Sequence, residues 1–224
     1  ALSAIGERVE GSPIHDIAYL IEIQRKNRFW RDGPVLETAR SALEMALWDL
    51  KGKLLGAPVH DLLGGRVRER VRVYRNLWGR HPKEFADSAK EAISNSMNAV
   101  KVSPAGPIPD VISRVQLDEM EAIVSAVRDA VGPAVDLAID FHGRLTPAAS
   151  RRAIHTLSKY DPFFIEEPCL PDGSVSHLAD LRALRTAQPV AIATGERLRS
   201  AHAFAEHLLP SPVVDIIQPD VSMV

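Results

Sequence analysis

The chain has 224 residues, of which 46% are hydrophobic and 25% are charged, a composition typical of a globular protein. Its net charge of −2 gives no basic surface for nucleic acid or an anionic membrane, so we expect neither as a partner. The single cysteine, Cys169, excludes an intrachain disulfide and predicts a cytoplasmic location.

The first 65 residues have the pattern of a helical segment. One helix is predicted over Pro13–Gln24, and the polar segment Asn27–Pro34 is predicted to be a loop. A long amphipathic helix follows Pro34 and ends before Gly56 and Pro58. Its apolar residues recur at spacings of three and four, which predicts one apolar face formed by Leu36, Ala39, Leu43, Leu47, Leu50 and Leu54.

From residue 66 onwards strand and helix patterns alternate, which predicts a parallel sheet. Six such units favour a (β/α)₈ barrel; the alternative is a doubly wound open sheet, although no glycine-rich loop follows the first strand. The predicted strands lie near Val71–Asn76, Ala99–Ser103, Val135–Asp140, Phe163–Glu166, Val190–Thr194 and Val213–Gln218. The predicted helices between them are Pro82–Ser96, Leu117–Val131, Pro147–Tyr160, Ser176–Thr186 and Ala201–Leu209.

Three acidic residues come at the ends of three consecutive predicted strands: Asp140, Glu166 and Glu196. Neighbouring parallel strands bring their carboxyl ends to one edge, where three carboxylates would repel one another without a cation. Hard divalent cations such as Mg²⁺ prefer oxygen ligands, so this pattern predicts a metal enzyme with the metal at the carboxyl ends of the strands. The alternative for each residue is a carboxylate at a helix N-terminus. Glu167 is predicted to point to the opposite side of its strand.

Three other polar residues come at or near strand ends. His142, two residues after Asp140, is predicted to lie beside the metal as a proton-transfer group, or else in a surface loop. Lys101 would hold a substrate carboxylate or act as a base, unless its side chain extends to solvent. Asp220 would orient a histidine or lysine of a neighbouring strand; its alternative role is a helix N-cap.

The segments ALWDLKGKLLGAPVHDLLGG, AVKV, DFHGR, FIEEP, TGERL and DIIQPD occur in this order along the chain. Together they resemble the enolase superfamily, mandelate racemase subgroup, and within it the galactonate dehydratase-type sugar-acid dehydratases. The resemblance implies an α/β fold, a modified TIM barrel with an α+β N-terminal capping domain. Residues 1–65 would be the helical part of the capping domain and residues 66–224 the first six βα units of the barrel. We expect the rest of both domains to lie outside this chain, so that the separate chain would be inactive and poorly folded.

The same resemblance implies roles for individual residues. Asp140, Glu166 and Glu196 would bind Mg²⁺, which holds the sugar-acid carboxylate and stabilises the enediolate formed when the α-proton leaves. His142 would be the general acid that protonates the departing β-hydroxyl. Asp220 would pair with a seventh-strand histidine, the general base, expected beyond Val224. The candidate substrate-binding residues are Lys101, Asn27, Arg28 and Trp30.

The expected activity is that of a hydro-lyase: Mg²⁺-dependent dehydration of an aldonic acid to a 2-keto-3-deoxy acid. Lys101-Val102-Ser103 replaces the Lys-x-Lys of racemase-type members, which argues for dehydration. Two alternatives stay open, namely a racemase or epimerase of a 2-hydroxy acid and a non-catalytic metal-binding barrel homologue. We also expect a homo-oligomer, as for many family members. The identity of the sugar acid does not follow from this sequence.

Overall fold

A computed structural model describes residues 1–27, 29–31, 33–170 and 175–223. The chain forms two compact units. The first comprises Ala1–Val71, Leu198–Ala201 and Pro219–Val224, and the second comprises Arg72–Arg197 and His202–Gln218. No helix in the described ranges combines the length and the apolar character that crossing a membrane requires.

The first unit is built from helices. They are α1 (Leu2–Gly6), α2 (Ile17–Lys26), α3 (Pro34–Leu55) and α4 (Val59–Leu62), with a 3₁₀ turn over Ile14–Asp16 before α2. Pro34 starts α3 at a position where a helix has no partner for a backbone N–H, and Gly56 ends it in the left-handed conformation. Both predicted boundaries of this long helix are therefore confirmed.

The apolar face predicted for α3 is only partly buried. Ala39 is buried, but Leu50 and Leu54 are 48% and 65% exposed, so the prediction is wrong for the last turns of the helix. The other buried residues of α3 are Arg40, Ser41 and Gly52. Gly52 is needed because the chain turns back onto the helix, where a Cβ would lie 2.8 Å from Ala57 O. Hydrophobic spacing identified the helix, whereas contacts of the folded chain selected the side that is covered.

The second unit contains a six-stranded parallel sheet whose strands pair in chain order. This sequential order is that of a (β/α) barrel, whereas a doubly wound sheet reverses its strand order at a switch point. The strands are β1 (Arg75–Asn76), β2 (Ala99–Val102), β3 (Asp136–Asp140), β4 (Phe164–Glu166), β5 (Ala191–Thr194) and β6 (Ile216–Ile217). The helices between them are α5 (Pro82–Ser94), α6 (Arg114–Val131), α7 (Pro147–Leu157), α8 (Val175–Ala187) and α9 (Ala201–Leu208).

All six predicted strands are present, but the two outer ones are shorter than predicted. β1 begins at Arg75 rather than near Val71, and Val71 and Val73 are exposed. β6 covers only Ile216–Ile217 of the predicted Val213–Gln218. β1 and β6 each pair with one neighbour in the described sheet, so fewer backbone contacts define their ends.

Alternate residues of the strands face two different environments. One face joins the helices in the large apolar core, to which β2–β5 contribute Val100, Val102, Leu137, Ile139, Ile165 and Ile192. The other face carries a small cluster of Ala138, Phe164 and Ala193. Because side chains alternate along a strand, the next residues on that second face are Asp140 of β3 and Glu166 of β4. The pleat therefore directs both carboxylates to this second face of the sheet, at the carboxyl ends of their strands.

Candidate metal centre

Two buried carboxylates and a lysine meet at the carboxyl ends of β2, β3 and β4. Asp140 and Glu166 are direct partners in the parallel register, so their side chains leave the sheet side by side. Lys101 Nζ lies 3.0 Å from Asp140 Oδ2 and donates a hydrogen bond of 2.7 Å to Glu166 Oε2. The side chains of Asp140, Glu166 and Lys101 are 1%, 4% and 11% exposed. A cation of the chain itself thus lies between two of the three predicted metal ligands.

The pKa values of this cluster reflect its excess of negative charge. Burial by itself would lower the pKa of Lys101, but the hydrogen bond to Glu166 and the charges of both acids outweigh it and raise that pKa well above its usual range. Burial raises the pKa of Glu166, and the charges of Asp140 and Glu196 raise it further against the opposing effect of Lys101. One lysine therefore does not neutralise the site, and the carboxylates still repel one another.

His142 lies beside Asp140, but not because the strand continues. β3 ends at Asp140, and His142 adopts a left-handed φ of 51° in the turn that follows. The His142 backbone N–H donates a hydrogen bond of 2.8 Å to Asp140 Oδ1, an aspartate turn that folds the chain back. This places His142 Nε2 3.2 Å from Asp140 Oδ2. The chain is therefore not extended from Asp140 to His142, yet the two side chains lie close together.

Glu196 reaches the same cluster from the end of β5. Atoms of Asp140, His142 and Glu196 that can bind a metal all lie within 4.8 Å of one another. Glu166 is not part of this particular group, and its carboxylate accepts a hydrogen bond from Lys101. The structure therefore brings Asp140 together with Glu166 on one side and with Glu196 on the other, and it adds His142 to the candidate ligands.

The donor set fits a hard divalent cation. In the described part of the chain, Asp140 Oδ2 and His142 Nδ1 are buried and make no hydrogen bond of regular geometry. Carboxylate oxygens are the preferred ligands of Mg²⁺, and His142 supplies a nitrogen that softer divalent ions accept. The position of Lys101 Nζ between Asp140 and Glu166 shows that this space attracts positive charge.

The residues that directly follow two of the carboxylates pair with each other. Glu167 is fully buried, and Arg197 Nη1 contacts its Oε2 in an ion pair. Glu166 therefore pairs with Lys101 and Glu167 with Arg197; since β4 ends at Glu166 and Glu167 has a left-handed φ of 39°, the backbone turn after the strand, and not strand alternation, accounts for the different partner of Glu167. Arg197 was not identified from the sequence; the available signal was that two of the three acidic strand ends are followed by residues of charge opposite to each other, Glu167 after Glu166 and Arg197 after Glu196.

The other candidate residues belong to the first unit and are described within it. Asp220 Oδ1 accepts hydrogen bonds from Ser222 Oγ at 2.6 Å and Ser222 N at 2.9 Å, and these bonds lower the pKa of Asp220. Asn27 is the C-terminal cap of α2, and its N–H donates to Ile23 O. Trp30 is exposed and makes an edge-to-face contact with Phe29. Arg28 lies outside the described residues.

Two family comparisons cover most of the chain. Residues 84–224 match the family of enolase C-terminal domain-like sequences. Residues 5–64 match the mandelate racemase / muconate lactonizing enzyme N-terminal domain. The match of both domains in this order agrees with the division into a helical N-terminal part and a barrel, although the boundary at residue 65 stays a prediction.

Two of the relatives are named as sugar-acid dehydratases. The chain is 41% identical over 214 residues to a D-gluconate dehydratase of Thermoproteus tenax, covering 94% of this chain and 42% of that protein. It is 33% identical over 222 residues to a D-galactonate dehydratase of Variovorax paradoxus (strain S110), covering 99% of this chain and 57% of that protein. The chain thus spans about half the length of these relatives.

Solved structures show the same fold. A mandelate racemase/muconate lactonizing enzyme from Sulfitobacter sp. superposes with a TM-score of 0.88 at 31% identity, covering 100% of this chain and 60% of that one. A mandelate racemase/muconate lactonizing enzyme from Jannaschia sp. CCS1 superposes with a TM-score of 0.87 at 29% identity, covering 100% of this chain and 61% of that one.

Proposed function

Because the chain belongs to the mandelate racemase/muconate lactonizing enzyme family of the enolase superfamily, we propose that the protein is a hydro-lyase that dehydrates an aldonic acid to a 2-keto-3-deoxy acid with Mg²⁺. The observation that carries this proposal is the convergence of Asp140, Glu166, Glu196 and His142 at the carboxyl ends of three neighbouring strands. The names of the relatives, which are dehydratases of D-gluconate and D-galactonate, support the substrate class.

Asp140, Glu166 and Glu196 are the proposed metal ligands. When bound, Mg²⁺ would hold the substrate carboxylate and stabilise the enediolate charge that develops as the α-proton leaves. Lys101 is the proposed second contact of the substrate carboxylate. Its Nζ already lies between Asp140 and Glu166, and its raised pKa keeps it a cation.

His142 is the proposed general acid that protonates the departing β-hydroxyl. Its side chain is one-third exposed, and its Nε2 contacts Asp140 Oδ2. Histidine is the side chain that most often transfers protons in catalysis, which suits a group that must give up a proton in each turnover. Because its donor atom also lies among possible metal-binding atoms, metal affinity must be measured separately from dehydration in any His142 variant.

Three further roles stay proposals. Asp220 would orient the general base on the neighbouring strand. Asn27 and Trp30 would contribute to recognition of the sugar hydroxyls. A site that hydrogen-bonds a substrate hydroxyl discriminates strongly against a substrate that lacks it. We further propose a cytoplasmic homo-oligomer.

The experiment is a screen of the full-length protein against aldonic acids, with Mg²⁺ and with excess EDTA. We expect a 2-keto acid product, detected as its semicarbazone, that depends on the metal. Asp140→Asn and Glu196→Gln should abolish both product formation and Mg²⁺ binding. Glu121→Gln is the matched control, since Glu121 is a carboxylate of α6 that pairs with Lys159 instead. A protein that forms no 2-keto acid from any aldonic acid, or forms it equally well in EDTA, would refute the proposal.

A further inference from the structure

The ion pair of Glu167 and Arg197 joins the residues that directly follow two proposed metal ligands. Glu167 follows Glu166 at the end of β4, and Arg197 follows Glu196 after β5. The Glu167 side chain is fully buried, while that of Arg197 is 36% exposed. A buried carboxylate without a partner is costly, so Glu167 strongly favours the position of Arg197 that neutralises it.

The backbone of Glu167 connects all three strands that carry the proposed ligands. Its N–H donates to Ala193 O of β5 at 2.9 Å, and its carbonyl accepts from Gly143 N, directly after His142, at 2.8 Å. Glu167 also has a left-handed φ of 39°, which is unfavourable for a residue with a side chain. Strained backbone persists where the surroundings hold it, and it is concentrated at functional sites.

Glu196 depends on its neighbours for its position. It is exposed, so core packing does not hold its side chain. Before it, Gly195 packs directly against the backbone of Gln218, where a Cβ would lie 2.8 Å from Gln218 N. After it, Arg197 is anchored to the buried carboxylate of Glu167. The chain is therefore fixed on both sides of the ligand.

We propose that Glu167 and Arg197 are a positioning pair that holds Glu196 against Asp140 and thereby sets the affinity of the metal site. This inference rests on the proposed function, because it assumes that these carboxylates bind Mg²⁺. Neither residue touches the metal or the substrate in this proposal. The ion pair holds the ends of β4 and β5 at a fixed distance from each other.

Positioning and simple electrostatics predict different signs for one substitution. Arg197→Met removes a positive charge near the site and leaves Glu167 ionised, so an effect of charge alone would strengthen Mg²⁺ binding. Glu167→Gln removes a negative charge, so charge alone would weaken it. A positioning pair requires both substitutions to weaken Mg²⁺ binding, since either one releases the chain after Glu196.

The test measures Mg²⁺ binding to the full-length protein without substrate, by titration calorimetry, together with thermal unfolding of the metal-free form. We expect about 10-fold weaker binding for Arg197→Met and for Glu167→Gln, the size typical of groups that orient metal ligands. The double variant should be no weaker than either single variant. Arg197→Lys keeps the charge and should recover part of the affinity.

Arg185→Met is the matched control. Arg185 forms an ion pair of 2.6 Å with Asp215 in the same unit, with a side chain about as exposed as that of Arg197, and it does not adjoin a proposed ligand. The Arg185→Met substitution should lower the unfolding temperature of the protein without changing its Mg²⁺ affinity.

The outcomes separate this inference from the proposed function. A wild-type protein that binds no Mg²⁺ refutes the metal site itself. A wild-type protein that binds Mg²⁺, with tighter binding by Arg197→Met or unchanged binding by Glu167→Gln, refutes the positioning pair and leaves the metal site standing. Should Arg197→Met fail to fold by circular dichroism, Arg197→Lys decides the question, because it keeps the charge: an effect of charge alone predicts wild-type Mg²⁺ affinity, whereas a positioning pair predicts weaker binding.

Discussion

Replacement of Lys101 by methionine should destabilise the metal-free protein and increase the stabilisation that Mg²⁺ provides. Methionine keeps most of the length and apolar volume of the lysine stem but removes the charge between Asp140 and Glu166. The metal-free variant then contains two adjacent buried carboxylates with no cation between them. In the wild-type protein, Mg²⁺ must compete with the ammonium group for the same oxygens.

The size of the effect follows from the contacts. At an effective dielectric constant of about 20, ionic contacts of 3.0 and 2.7 Å correspond to about 6 kcal/mol each before desolvation is subtracted. Removal of one partner of a buried ion pair costs about 3–5 kcal/mol. Protonation of Glu166 limits the loss, so we expect a value near the lower end, about 3 kcal/mol. With an m-value of about 3 kcal/mol/M, the urea midpoint would fall by ~1 M.

The loss of folding stability caused by Lys101→Met should depend on pH. Burial and the charge of Asp140 already hold the pKa of Glu166 above its ordinary value, and Lys101 is a group that opposes this shift. A folded protein with a raised carboxyl pKa loses stability as the pH rises from the ordinary value through the raised one. The deficit of Lys101→Met should therefore be larger at pH 8 than at pH 5.

The assay is urea unfolding of the wild-type protein and of Lys101→Met, in EDTA and at one Mg²⁺ concentration near 100 times the dissociation constant of the wild-type protein. That concentration stabilises the wild-type protein by about 2.7 kcal/mol if only the folded state binds Mg²⁺. Mg²⁺ should reduce the difference between the two proteins by at least half. Lys159→Met is the control, because Lys159 pairs with Glu121 on the surface, where ion pairs contribute little. Equal midpoints in EDTA, or a deficit that Mg²⁺ leaves unchanged, would refute the reasoning.

Two further predictions concern the residues around the cluster. His142→Asn should lower the rate of dehydration by about 10²–10⁴-fold and spare α-proton exchange with solvent deuterium. Loss of exchange as well, or a loss of Mg²⁺ affinity, would contradict a role restricted to the general acid. Gly195→Ala should destabilise the protein by about 1–3 kcal/mol and weaken Mg²⁺ binding, because φ is 142° and the new Cβ would meet Gln218 N at 2.8 Å. Gly132→Ala is the control, because Gly132 also has a positive φ but no neighbour within 4 Å of the new Cβ; it should lower stability and leave Mg²⁺ affinity unchanged. Equal Mg²⁺ affinity in both variants would contradict the role of the Gly195–Gln218 contact.

Local sequence signals predicted most of the elements and the edge on which the candidate site lies. Pro34 and Gly56 set the ends of α3 because their backbone preferences act within one turn of the helix. Alternation along β3 and β4 places Asp140 and Glu166 on the same face as Ala138 and Phe164, since the period of a strand is two residues.

Which side chains touch one another depends on the tertiary fold. The order of residues was enough to predict that acidic residues come at the ends of three consecutive strands and that those ends meet at one edge. The sequence did not predict that Lys101 lies between Asp140 and Glu166, or that Arg197 pairs with Glu167, because these contacts join residues 30–65 positions apart. It also did not show that Leu50 and Leu54 are exposed. Periodicity specifies a face of an element, whereas the packing of distant segments determines what covers that face.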